Sequence, residues 1–217
     1  MYTVDILSQY IFYYLKPSRT VIPHNARWFF IHAFTNTMIS LVSTQDLVYC
    51  IRNISTCGRK SWRLSSIITF WIATVSHLYH IAIFHNLLTA EEWFHHGIML
   101  GIAAPLCLYC PTRASTVALG FLSGYPGMID YSLLWCVKMG WLSRRTEKLY
   151  NVWINAWLRS PGCIFAAILT LPLIREELSV CPLLMALLTL WNGQYYMIIA
   201  IRSHTKLDIF KPTKMLQ

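Results

Sequence analysis

Apolar residues gather along the chain into runs near the roughly 20 residues that a helix needs to cross a bilayer. Five such runs cover 28–47, 66–85, 94–110, 114–139 and 183–201. A sixth, 161–174, is short by itself. Before it, Leu149, Val152, Trp153, Ala156 and Trp157 recur at helical spacing, while Asn151, Asn155 and Arg159 mark another face. The two stretches read as one helix that starts at the membrane interface, with Arg159 snorkelling toward water. The fourth run is expected to kink or break at Gly124, Pro126 and Gly127 of "SGYPGM". A split into two crossings there fails on length. The pattern predicts an all-α fold, a polytopic integral membrane bundle of six helices.

Polar residues inside these runs fall into stripes. His32, Asn36 and Ser40 are spaced i, i+4, i+8 in the first run; Ser76, His77 and His80 share a side of the second; Asn192, Tyr195 and Tyr196 share one of the sixth. Polar groups in lipid need partners, so the stripes should face inward. Two outcomes stay open: plain hydrogen bonding between helices, or a polar pocket at one end of the bundle. In the pocket reading His32, Asn36, His77, His80, Asn192 and Tyr195 are the substrate-binding residues.

Composition agrees with the pattern. Charged residues are 12% of the 217, against about a quarter in soluble domains, and 56% are hydrophobic. The net charge of +9 does not indicate nucleic acid, because the lysines and arginines lie in short loops, where they set orientation and meet lipid headgroups. With six spans, the side holding the termini carries ten Lys and Arg and the other side six, which places both termini in the cytoplasm. Seven cysteines scattered through apolar stretches imply no disulfide framework, and Cys107 and Cys110 read as buried inert thiols. "MYTVDILSQYIFYYLK" lacks the basic start and small-residue cleavage site of a signal peptide; it reads as an interfacial amphipathic helix ended by Lys16-Pro17. "KPTKMLQ" reads as a basic tail contacting anionic lipid.

Five histidines fall within twenty residues: His77, His80, His85, His95 and His96. A di-iron hydroxylase needs repeated HxxHH boxes, and none is present, so no metal site is expected. A second chemistry is acyl transfer or another general acid–base reaction, in which a histidine takes a proton or accepts an acyl group. The third reading is structural, with His95 and His96 as interfacial residues.

"EEWFHHGIML" (91–100), with acidic residues just before a histidine pair at the start of a span, resembles the paired-histidine motif of the TLC-domain family, which includes the ceramide synthases and small six-span relatives. "RWFFIHAFTNTMISLVSTQDL" resembles the family's first core span. "GYPGMIDYSLLWCVKMGWLSRRTEKLYNVW" is similar to its later Asp-rich stretch, with Asp130, Tyr131 and Lys138 as partial matches. The similarity covers about 27–205, between an interfacial segment 1–26 and a tail 206–217. Gly127 or Met128 stands where ceramide synthases carry a first aspartate, and Leu134 and Trp135 where a glutamate follows. The chain is in this respect closer to the small relatives. The resemblance implies a TLC-type six-helix bundle that handles lipid acyl chains in the endoplasmic reticulum, in sphingolipid or phospholipid metabolism, with no bound cofactor. For an enzyme it implies N-acyl transfer with acyl-CoA as co-substrate, His95 or His96 as base or acyl acceptor, and Asp130 as the group that orients it. The alternative is a non-enzymatic subunit of a membrane complex, in the mitochondrial inner membrane for instance. Membrane lipids are the expected partners in each case, with a homo-oligomer or partner subunits beside them.

Overall fold

The computed structural model describes residue 6 and residues 24–177 and 180–209. The expected interfacial helix before Lys16-Pro17 and the basic tail beyond 209 lie outside the described residues. Six helical rods are present among the described residues: α1 (His24–Arg52), α2 (Leu64–Phe84), α3 (90–109), α4 (113–138), α5 (144–168) and α6 (Val180–Ile209). Shorter helical pieces occupy Ile54–Cys57, His85–Leu87 and Leu171–Glu177. The isolated antiparallel bridge between Ser61 and Thr112 is the one β-type pairing among the described residues.

Side chains are distributed inside out relative to a water-soluble domain. Leu41, Leu64, Trp71 and Trp157 are 51% to 72% exposed, whereas Asn36, Ser43, Asp46, Ser66, His80 and Glu147 are buried. Apolar outer faces and polar inner ones suit a bundle surrounded by lipid. Among the described residues, three helices are long and apolar enough to cross a membrane: Leu64–Leu87, Arg144–Ile174 and Val180–Leu207. The described part of the chain is therefore all-helical, with three candidate membrane spans. α1 is long enough at 29 residues, but its polar stripe dilutes its hydropathy.

The polar residues of α1 are satisfied mainly within the helix. Thr35, Thr37, Ser40 and Thr44 each donate to the carbonyl four residues back, at 2.7–2.9 Å. This back-bonding quenches a hydroxyl without a neighbouring helix. α1 is then free to sit centrally, against α2 on one side and α4 on another. Glycines of α4 make the second contact close. A Cβ at Gly124 would lie 2.9 Å from Ile39 Cγ2 and 3.2 Å from the Ser40 backbone nitrogen; one at Gly127 would lie 2.6 Å from Asn36 Nδ2. "SGYPGM" thus forms a seam; of the expected kink or break, the helix shows no break but an irregular π turn that ends at Gly124. α4 passes through a π-helical turn at Gly120–Gly124 and continues as Tyr125–Lys138, with Pro126 the second residue after that turn. Similar π turns interrupt α3 at Met99–Ala103 and α5 at Asn155–Arg159.

α5 also joins the short run 161–174 to the stretch before it, as expected, and Trp153 and Trp157 face outward. Arg159 corrects the snorkelling expectation. It is 7% exposed and turned inward, with its guanidinium 4.9 Å from the centre of the Tyr196 ring. It shares the face of Asn155, which is also buried, and lies away from the exposed tryptophans.

One end of the bundle is closed by a buried charge and two disulfides. Asp46 accepts hydrogen bonds from Ser65 Oγ at 3.2 Å and Ser66 Oγ at 2.7 Å, and Arg113 Nε lies 3.8 Å from its other oxygen. Trp62 Nε1 donates to the Thr112 carbonyl at 2.9 Å. Cys50 is bonded to Cys57 and Cys110 to Cys181, with Cα separations of 5.0 and 6.6 Å. These bonds overturn the expectation of no disulfides and of an inert Cys110; Cys107 is free and buried. The partners come from the ends of α1 and α3, the short helix Ile54–Cys57 and the start of α6, where the chain turns back, so spacing along single apolar runs concealed them.

Close approach at α4 has a measurable consequence. Gly124→Leu should destabilise the protein by about 1–3 kcal/mol through overpacking. Gly97→Ala, at a helical position with nothing within 4 Å, should leave it unchanged or gain up to about 1 kcal/mol. Thermal unfolding midpoints in detergent micelles test the pair, and equal effects would count against the seam.

Candidate functional site

α3 begins with a capping box. The Thr89 N–H and Oγ1 both donate to Glu92 Oε2, at 2.7 and 2.9 Å, and the Glu92 N–H donates back to Thr89 Oγ1 at 3.3 Å. Glu91 and Glu92 thus occupy the first turn, where carboxylates suit the helix dipole. One turn later the helix presents His95, half-buried, and His96, 4% exposed. His77 and His80, three residues apart on α2, face them; His32 arrives from α1.

The five rings form two groups. In the first, rings stack face to face. His32 and His80 have centroids 3.9 Å apart at 15°, His32 and Tyr131 4.1 Å at 11°, and Trp28 closes the column 4.6 Å from His80. His32 Nε2 and His80 Nε2 are buried without a hydrogen-bond partner, so this column is held by packing. In the second group, ring nitrogens face one another. His77 Nδ1 lies 2.7 Å from the Ala73 carbonyl, which only accepts, so that nitrogen carries the proton. His77 Nε2 lies 3.3 Å from His95 Nε2, and His95 Nδ1 3.2 Å from the Tyr196 hydroxyl. His96 completes the group, 5.2 Å from the His77 ring and 5.5 Å from that of His95.

These groups border a cavity of about 380 Å³ between α1, α2, α3, α4 and α6. His77, His95, His96, Glu91, Asn192 and Tyr196 line its polar end; Phe70, Leu119, Met185 and Leu188 line its apolar length. Its volume lies within the roughly 300–1,000 Å³ of small-molecule pockets.

No family model, curated protein or solved structure matches the chain. The chemistry open to the site rests on its own geometry.

Of the residues singled out in the sequence, His32, His77, His95, His96, Asn192 and Tyr195 line the cavity. His80 lies behind His32 in the stacked column. Asn36 lies against Gly127 in the α1–α4 seam. Asp130 pairs with Asn151, which in turn accepts from Asn155 Nδ2 at 2.8 Å. No hydrogen bond found among the described residues joins Asp130 to His95 or His96. His85 is exposed in the turn after α2. The hydroxyl on His95 belongs to Tyr196, which the polar stripe of the sixth run contained, but nothing in one sequence pairs it with a residue 101 positions away.

The stacked column gives His80 a packing role. His80→Phe keeps a flat ring and removes an unpartnered nitrogen, so it should leave the unfolding midpoint unchanged or raise it. His80→Ala should lose about 3 kcal/mol to a cavity. Thermal melts of the two variants check this, and a large loss in His80→Phe would show that the nitrogen matters.

Proposed function

We propose that the chain is a six-span membrane protein of TLC-like arrangement that holds a lipid acyl chain in the cavity. The observation that carries the reading is the cavity's gradient from imidazoles and a carboxylate at one end to Phe70, Leu119 and Met185 along its length. Its lining on α3 runs from Glu91 to Cys107, about 24 Å of helix at 1.5 Å per residue. That is most of the roughly 30 Å hydrocarbon thickness of a bilayer. An amphiphile with a polar head and an aliphatic tail matches both gradient and length. α1, α3 and α4 complete the six spans, because their polar residues turn inward and their outer faces stay apolar.

Orientation rests on two independent features. The terminal side is the more basic in sequence, and the disulfides of Cys50–Cys57 and Cys110–Cys181 lie at the opposite end. Disulfides persist in oxidising compartments, so that end belongs in the lumen and the histidine end faces the cytoplasm. The endoplasmic reticulum supplies both environments.

A second reading, N-acyl transfer from acyl-CoA, is favoured by the placing of imidazoles where the head of a bound acyl chain would lie. A thioester carbonyl would meet His95 there, and its charged CoA would remain in the cytoplasm. Tyr196 on His95 Nδ1 would then orient the imidazole, a role the resemblance implied for Asp130.

Native mass spectrometry of gently purified protein should show a bound lipid, and Ala103→Phe, which fills the cavity beside the π turn of α3, should displace it. A lipid-free wild type would count against the reading. In sealed microsomes a cysteine introduced at Lys214 should react with a membrane-impermeant maleimide, and one at Lys60 only after permeabilisation. The reverse pattern would invert the orientation.

A further inference from the structure

We propose that His77, His95 and His96 form a binding site for a divalent transition-metal ion, Zn2+ by its ligand set, with its fourth position open to the cavity. One ligand atom from each residue falls within 4.8 Å of the other two. The closest pair is already at the separation that a shared ion requires. Two ligands on a tetrahedral centre at Zn–N distances of about 2.05 Å sit about 3.3 Å apart, and His77 Nε2 and His95 Nε2 are 3.3 Å apart. His96 has at most about 1.5 Å to close, given the same Zn–N distance.

The surrounding hydrogen bonds have the form that metal-bound histidines use, with the non-ligating nitrogen fixed by a carbonyl, carboxylate or other polar group. The proton on His77 Nδ1, held by the Ala73 carbonyl, leaves a lone pair on Nε2. The Tyr196 hydroxyl lies on the Nδ1 side of His95 and leaves its Nε2 facing that lone pair. His96 adds an independent observation: it is 4% exposed and its Nδ1 is buried with no partner.

Three neutral imidazoles suit Zn2+, and sites with three protein ligands leave a place for water or substrate. Glu92 is engaged with Thr89 in the capping box, so it does not fill that place. It and Glu91 nevertheless line the same end of the cavity and offset the ion's charge. The ligands come from two helices, so no single run of sequence carries the site. The proposal stands whether or not the cavity holds an acyl chain.

The test uses the full chain without a histidine tag, stripped with a chelator and titrated with Zn2+ alone. Elemental analysis after desalting should find about one zinc per chain. Co2+ in its place should give the strong visible absorption of a four-coordinate site. His77→Ala, His95→Ala and His96→Ala should each lose binding at least tenfold. Tyr196→Phe, which frees the outer nitrogen of His95, should weaken it about 10–100-fold, and His85→Ala should bind as wild type does. A folded wild type that takes up no Zn2+ overturns the proposal, and the contact of His77 with His95 is then a shared-proton hydrogen bond. Binding that survives undiminished in all three ligand variants overturns it equally. Because the wild-type titration needs no variant to fold, and because lipid content is measured separately, failure here is distinguishable from failure of the lipid reading.

Discussion

With a side chain at Gly124, α4 could not lie against the backbone of Ser40, and α1 would be held away from the centre of the bundle. The rest of the packing depends on that close approach. In lipid there is little hydrophobic force between helices, so close packing and internal hydrogen bonds hold the bundle together. Glycines at 120, 124 and 127 bring the backbones near. The hydroxyls of α1 bond back along their own helix, and Asp46 gathers Ser65 and Ser66 of α2 and Arg113 of α4 at one end. Once α1 is central, His32 reaches the wall of the cavity, and Trp28 and Tyr131 bracket the stacked rings around it.

The hydrophobic runs and their polar stripes were legible because they are local. Periodicity marks which face of a helix is apolar, and those faces are found outside. What was not legible depends on pairings between distant residues. Cys110 lies in an apolar run and gives no sign of Cys181; Arg159 looks like a snorkelling residue until α6 brings the Tyr196 ring against its guanidinium. "SGYPGM" reads as a kink or break from Gly124, Pro126 and Gly127, whereas the two glycines serve the seam by their small volume. The histidines were visible as a cluster, yet their division into a stacked column and a nitrogen-facing trio requires the register of α2 against α3.

The same division separates the two kinds of work that imidazoles can do. His32 and His80 present flat faces and leave nitrogens unpartnered, which is a packing arrangement. His77 and His95 present edges, with the outer nitrogens engaged and the inner ones opposed. Asp130, which the resemblance placed beside the histidines, belongs to a separate polar chain through Asn151 and Asn155 between α4 and α5. At the cavity's polar end it is Tyr196, and not Asp130, whose side chain meets His95.

The Cys110–Cys181 bond also has a mechanical side. It ties the end of α3 to the beginning of α6, and these two helices form facing walls of the cavity. At the far end of the same walls, the contact between His95 and Tyr196 is a hydrogen bond, worth about 1 kcal/mol net. The pair is therefore built like a clothes-peg, pinned covalently at one tip and lightly latched at the other. Of those two tips, the histidine end is the one that the described contacts leave without a covalent tie.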